Sequence, residues 1–262
     1  MVELSLRTVK QSLADGIRVF STAGGGRFIS SDDGIALAVS AHEYPSPLHN
    51  AALRTFPDIA ANDFMLLIES VFKRARRPYV LWLEPGTDDD IYKAATDFGL
   101  SLTRDPYSIG MIAQAPLEIS ALPDNVLIEG VTKATAHEFA SAVCDAFGFD
   151  DRQRSSVGSV LASSKLLEVQ GVSPFILRLH GEPVSTAMTI YTGSQAGLYY
   201  VGTKKEYRRD GLAALLVKWA TAAAFDDGIT AVCLEADIAL ASFYEGLNFS
   251  AVGELRTLGP PV

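Results

Sequence analysis

The sequence predicts an α/β protein of the α+β kind, a mixed, mostly antiparallel twisted sheet flanked by helices. Three observations carry this. Short runs rich in aromatic and β-branched residues alternate with stretches whose apolar residues recur at helical spacing. Three of those runs, 174–180, 183–192 and 198–203, are separated by short turns bearing Gly181 and Gly193, as hairpin-joined strands are. The run 198–203 then feeds a glycine-bearing turn that opens a helix.

The chain has 262 residues, long for one small domain and suited to two. A segment with two prolines and no periodicity, 116–125, reads as the linker between a first domain, 1–115, and a second, 126–262. In the first domain Leu6, Val9, Leu13 and Ile17 give helical periodicity over 4–17. Gly24-Gly25-Gly26 follows; without a Lys-Ser/Thr pair or an apolar helix after it, it reads as a turn and not a phosphate loop. Residues 35–39 read as a strand and 46–50 as a loop. Residues 63–75 form an amphipathic helix with Phe64, Leu67, Ile68, Val71 and Phe72 on one face. The cations at its end, Lys73, Arg74, Arg76 and Arg77, complement the helix dipole. A strand at 79–83 leads to Pro85-Gly86 and an acid-headed helix from Asp88 to about Phe98, and 108–113 is a last strand.

In the second domain 126–131 is a strand, 132–147 a helix broken at Gly148, and 151–168 a second helix. After the hairpin strands, Leu212, Leu215, Leu216, Trp219, Ala220 and Ala223 mark a helix that stops at Gly228, placed as a C-terminal cap glycine. A strand at 231–236, a short helix at 238–246 and a strand at 248–258 complete the chain. A strand, a glycine turn and a helix N-terminus in succession aim free N–H groups and the positive helix end at one place. An anion fits there, and a pyrophosphate fits well.

The turn reads Arg-x-x-Gly-x-Ala, set by Arg208, Gly211 and Ala213, and Ser242-Phe-Tyr-Glu-Gly-Leu-Asn-Phe249 follows downstream. Together these resemble the signatures of the GNAT superfamily of acetyl-CoA-dependent N-acetyltransferases, and the element order over 126–259 is similar to one domain of that fold. The first domain, with Tyr79-Val-Leu-Trp-Leu-Glu-Pro-Gly86, a helix and Phe98-Gly99, is similar to the N-terminal half of tandem GNAT proteins but has no Arg-x-x-Gly-x-Gly/Ala turn. The resemblance therefore implies two tandem copies, the first degenerate and without a cofactor, packing on the second and shaping the acceptor pocket. It implies that Val201, Gly202 and Thr203 face the pantetheine and the acetyl carbonyl. Arg208, Arg209, Asp210, Gly211, Leu212 and Ala213 would bind the pyrophosphate, and Asp237 would reach the pantetheine. Tyr244 would serve as general acid toward the departing thiolate.

This sequence departs from the family at Lys205, where proline is common, at Asp210, a carboxylate inside the turn, and at Asn248, where glycine is usual. Asparagine is the residue next most able to take positive φ. A general base is less legible, since the cofactor strand offers Tyr199 and Tyr200 and no carboxylate. Glu235 and His180 are candidates, and a water chain would need no residue at all.

A formal net charge of −9 argues against nucleic acid and favours a cationic acceptor such as an amine. With 48% hydrophobic and 20% charged residues the composition is that of an ordinary globular protein. Cys144 and Cys233 lie in apolar surroundings and read as buried thiols. There is no long apolar span, no leader-like N-terminus and no metal-ligand spacing, so a cytoplasmic monomer or homodimer is expected. The activity implied is direct transfer of an acetyl group from acetyl-CoA to the amine of a small or amino-acid-like acceptor in a ternary complex. The alternative is a catalytically silent acyl-CoA-binding regulatory or interaction module.

Overall fold

A computed structural model of the chain describes residues 5–32, 34–44, 46–56, 58–103, 107–119 and 121–261. Leu4 and Ser120, inside the predicted first helix and linker, lie outside the described residues. The chain divides into two compact units. One holds Met1–Met111, Glu235–Ser242 and Ala251–Val262; the other holds Ile112–Leu234 and Phe243–Ser250. The C-terminal strand thus groups with the first unit, whereas the sequence reading put all of 126–262 in the second domain. Long-range strand pairing decides that grouping, and no local pattern reports it.

The first unit opens with α1 (Leu6–Ala23), then β1 (Arg27–Ser31), β2 (Ile35–Val39), β3 (Ala51–Arg54), α2 (Ala61–Ala75), β4 (Val80–Leu83), α3 (Asp89–Asp97) and β5 (Ser101–Leu102). β6 (Ser108–Ala113) spans the passage to the second unit. β1, β2 and β3 are successive antiparallel neighbours. β3 and β4, joined through α2, are parallel. β2, β3 and β4 are buried along their whole length, as strands covered on both faces are. Ile35, Leu37 and Val39 of β2 pack with Phe64, Met65, Ile68 and Phe72 of α2, Leu81 and Leu83 of β4, and Ile91 of α3. α1 packs on β1, β2 and β3 and buries Val9, Leu13, Ile17 and Phe20.

Two polar features tie this unit's loops. Asn50, fully buried, accepts the Ser40 N–H at 2.8 Å and donates to the carbonyls of His42 and Tyr44. His49 beside it is buried, with its ring 5.4 Å from that of Phe20. Burial, with His42 nearby, pushes its imidazole down to about 3, so it is neutral at pH 7. The second feature is a buried ion cluster. Asp88 accepts from Lys10 Nζ at 3.2 Å, from Arg54 Nε at 2.9 Å and from the Glu84 N–H at 2.8 Å. Lys10 also reaches Glu84, and Arg54 also reaches Asp90 and the carbonyls of Ile59 and Thr87.

The second unit carries β7 (Val126–Gly130), α4 (Ala136–Phe147), α5 (Asp151–Gln153), a π-helical turn (Arg154–Gly158), α6 (Ser159–Leu161) and α7 (Ser164–Glu168). β8 (Val172–Leu179), β9 (Glu182–Thr192), β10 (Gln195–Thr203), α8 (Leu212–Asp226) and β11 (Ala231–Asp237) follow. α9 (Ala241–Glu245) and β12 (Ser250–Gly259) end the chain. β7, β8, β9 and β10 are successive antiparallel neighbours, and β10 and β11, joined through α8, are parallel. In the first unit β12 pairs antiparallel with β4 and with β5. The fold is mixed α/β with a mostly antiparallel sheet flanked by helices, as the sequence predicts.

Four local expectations shift. The β8–β9 turn is His180-Gly181, not Gly181-Glu182; both residues have positive φ, as a two-residue hairpin loop of the I′ kind demands. The predicted 151–168 helix breaks into three, with the π turn inside it and Ser163 capping α7 through its hydroxyl. The buried face of α8 is Leu212, Leu216, Val217, Ala220, Thr221 and Ala224, leaving Leu215, Trp219 and Ala223 half-buried. β1 had no predicted counterpart, because its residues are half or fully exposed and carry no apolar alternation. The end of α8 follows the expectation. Gly228 has φ +87°, and the Gly228 and Ile229 N–H groups reach the Phe225 and Ala224 carbonyls, a full Schellman cap. Cys144 and Cys233 are buried and outside any disulfide, and burial pushes the Cys144 thiol up. No helix among the described residues is long and apolar enough to cross a membrane, and no acid, His or Cys cluster there could hold a metal ion.

Candidate functional site

β10 is the axis of the site. Gln195–Gly197 pair in parallel with Ala231–Cys233 of β11, and the register goes no further. From Leu198 to Thr203 the strand is hydrogen-bonded in register only to β9, so its other edge carries no β11 ladder. The pairing with β9 is itself interrupted by a bulge between Tyr199 and Gly202. Tyr200, inside the bulge, has φ +48°. A left-handed non-glycine residue costs roughly 1–2 kcal/mol, so the surroundings must hold it there. Its buried ring meets Phe147 edge-on at 5.9 Å, and burial drives the phenol pKa well above its ordinary value. A Cβ on Gly202 would come within 2.9 Å of Ala146 and of the Phe147 ring. The end of α4 therefore lies directly on the bulge backbone, and glycine is there to admit it.

After Thr203 the chain makes a 3₁₀ turn, Lys205–Tyr207, before α8. Three side chains fasten that turn. Lys204 Nζ and the Tyr207 hydroxyl both donate to Glu182, at 3.1 and 2.7 Å. Arg208 donates through Nε to the Thr203 carbonyl at 3.0 Å and through Nη2 to the Ala146 carbonyl at 2.7 Å. The Arg208 guanidinium thus ties the end of β10 to the end of α4, a use that the motif alone does not reveal.

Arg209 and Gly211 both have positive φ, +73° and +76°. None of the N–H groups of Arg209, Asp210, Gly211 and Leu212 reaches a backbone carbonyl among the described residues. Alternating left-handed residues turn successive N–H groups to one side and make a nest for an anion. α8 begins at Leu212 and adds its own orphan donors and the positive end of its dipole. Arg209 and Asp210 are exposed, and the space around Gly211 is open: a Cβ there would meet nothing within 4 Å. The residues present fit a di-anionic phosphate ester.

Tyr244 lies on α9 in the same unit, 6% exposed. Its ring packs edge-on between Phe243 and Phe249, at 4.9 and 5.8 Å. Asn248, after that helix, has φ +65°, the conformation its place in the motif predicts. Glu235 and Asp237, both half-buried, fall in the stretch that groups with the first unit. The Asp237 carboxylate accepts the Ala239 N–H at 3.0 Å and so caps the turn Ile238–Leu240. Val201, Gly202, Thr203, Arg208 to Ala213 and Tyr244 all fall in the second unit, while the two carboxylates belong to the other. His180 sits in the β8–β9 turn, its Nε2 3.2 Å from Asn125 Nδ2.

Residues 141–249 match the model of the acetyltransferase (GNAT) family. The chain carries a GNAT domain. That match covers the end of α4, the bulged strand, the nest and Tyr244. A GCN5-related N-acetyltransferase from Kribbella flavida is similar in fold, with TM-score 0.68 at 19% identity over 98% of this chain and 95% of that one. A GCN5-related N-acetyltransferase from Sphaerobacter thermophilus gives TM-score 0.58 at 12% identity, over 95% and 91%. A tandem GNAT protein from the clavulanic acid biosynthesis pathway gives 0.60 at 11% identity, over 98% and 96%. No curated protein matches the chain.

Proposed function

We propose that the GNAT domain binds acetyl-CoA and transfers its acetyl group to the amine of a small or amino-acid-like acceptor. The observation that supports this best is the pairing of an unladdered, bulged strand edge with an N–H nest at the start of α8. The nest and helix terminus receive the pyrophosphate, with Arg208 holding the turn in place and Arg209 adding charge. The edge at Val201, Gly202 and Thr203 receives the pantetheine and the thioester carbonyl, where fixed N–H dipoles oppose the charge that develops on oxygen. The acceptor nitrogen bonds to the carbonyl carbon, the carbon–sulfur bond breaks, and the Tyr244 hydroxyl gives the thiolate its proton. The proton lost by the ammonium goes to Glu235 or to water. The role of Asp237 rests on the sequence resemblance, and that of Glu235 on its being a carboxylate on the strand after the cofactor strand.

We infer that the first unit is a degenerate copy of the same fold. Its strands run antiparallel, antiparallel and then parallel through a helix, the order seen again at β8, β9, β10, α8 and β11. Where β10 leads into a nest, β3 ends on the buried side chain of Arg54, held by Asp88 and Asp90. Among the described residues between β3 and α2 none has the positive φ that shapes the turn after β10. Isothermal calorimetry is therefore expected to show one acetyl-CoA per chain, and thiol release to rise with an amine acceptor. Binding without thiol release from any amine would favour the silent-module reading; two equivalents per chain would overturn the degenerate one.

Tyr244→Phe removes only a hydroxyl and keeps the ring packing against Phe243 and Phe249. Acetyl-CoA affinity is expected to stay within about twofold while thiol release falls on the order of 100-fold, the usual worth of general acid catalysis. An equal loss in both would make Tyr244 a packing residue.

A further inference from the structure

β9 buries a row of hydroxyls, Ser185, Thr186 and Thr189, each no more than 1% exposed. Burying a hydroxyl is costly unless it is bonded, so their partners matter. Thr186 Oγ1 donates to the Tyr200 carbonyl at 2.9 Å. Ser185 Oγ donates to the Gly202 carbonyl at 2.9 Å and lies 2.9 Å from Thr203 Oγ1. Thr189 faces the other neighbour strand and donates to the Ser173 carbonyl of β8 at 3.3 Å. Two of the three hydroxyls thus grip carbonyls within or beside the bulge of β10.

The peptide plane turns this grip into an orientation. In a planar trans peptide the carbonyl of one residue and the N–H of the next point in opposite directions. A Tyr200 carbonyl held toward β9 sends the Val201 N–H away from β9. A Gly202 carbonyl held toward β9 does the same for the Thr203 N–H. Both N–H groups then face the edge of β10 that has no β11 ladder. A left-handed, non-glycine Tyr200 would otherwise relax, and a relaxed peptide plane would swing the Val201 N–H off that edge.

We propose that Thr186, seconded by Ser185, is a positioning residue for the thioester carbonyl. Its hydroxyl fixes the Tyr200–Val201 peptide plane so that the Val201 N–H is aimed at the acyl oxygen; Ser185 does the same for the Thr203 N–H. The inference rests on the acetyl-CoA reading above. Neither residue touches the substrate, and neither belongs to the phosphate nest. Their effect is specific to the acyl end of the ligand, which is what makes it measurable.

The experiment compares CoA, which lacks the acyl carbonyl, with acetyl-CoA, by calorimetry on the full chain. Thr186→Val keeps shape and volume and removes the donor. The affinity of acetyl-CoA relative to CoA is expected to fall about three- to tenfold, the worth of one hydrogen bond, with CoA affinity unchanged. Thr186→Ser should restore the ratio. Ser185→Ala should lower it in the same way, which keeps the idea testable should Thr186→Val fold poorly. Thr189→Val, whose hydroxyl serves β8, should leave the ratio as in the wild type. An unchanged ratio in Thr186→Val and Ser185→Ala, or an equal loss of both ligands, would overturn the positioning role while leaving the acetyl-CoA reading standing. A wild-type chain that binds neither ligand would overturn both.

Discussion

Gly211→Glu is expected to abolish acetyl-CoA binding, lowering affinity by at least about 100-fold, with only a modest loss of stability. Gly211 has φ +76° and caps α8, and a Cβ there would meet no atom within 4 Å. The fold therefore loses no packing; it pays roughly 1–2 kcal/mol for a side chain in the left-handed region. Binding loses far more. A carboxylate set between the N–H groups of Arg209, Asp210, Gly211 and Leu212, none of which meets a backbone carbonyl among the described residues, competes for the nest and repels the phosphates. A hundredfold loss corresponds to about 2.7 kcal/mol, within reach of one misplaced charge at partial burial. Gly211→Ala separates the two effects: it adds the backbone strain without the charge and should keep most of the affinity. Calorimetry with acetyl-CoA, beside thermal melts of the free proteins, reads both. Affinity unchanged in Gly211→Glu would remove the nest from the binding site.

The motif made Gly211 legible, because glycine in that place has one physical purpose and the helix after it is strongly apolar. The cap at Gly228 and the turn at Asn248 were legible for the same reason: each needs a residue that tolerates positive φ. What escaped was the work of residues acting at a distance. Arg208 reads as a phosphate ligand from the motif, yet two of its nitrogens bond the carbonyls of Thr203 and Ala146. The partner at Ala146 lies 62 residues away, beyond any local pattern. The positive φ of Arg209 was hidden because arginine is not a turn residue, and only the surrounding ties make that conformation tenable. Thr186 and Ser185 read as ordinary strand residues, since nothing in β9 itself marks the bulge opposite them. The assignment of 251–262 to the first unit is likewise a matter of pairing between β12 and β4, separated by most of the chain.

Distance in sequence also hid the element with the largest expected effect on stability. Asp88→Ala should destabilise the first unit by about 3–5 kcal/mol, the cost of breaking a buried ion pair from one side. Asp88 is 1% exposed and accepts from Lys10, Arg54 and the Glu84 N–H. Lys10 and Arg54 have side chains only 6% and 3% exposed, so neither can turn to water when their shared carboxylate is gone. Glu84 and Asp90 remain for them, but those carboxylates are 24% and 51% exposed and each already holds one of the two cations. Removing Asp88 also strips an acceptor from the loop that starts α3, a second cost of about 1 kcal/mol. Asp90→Ala is the control. Its carboxylate is half in water, so its removal should cost about 1 kcal/mol or less. Urea unfolding of the two variants, with the fold checked by circular dichroism, gives the comparison. Equal and small losses would mean that Lys10 and Arg54 find solvent on their own, and that the cluster holds the β3–α2 and β4–α3 loops by packing and not by charge.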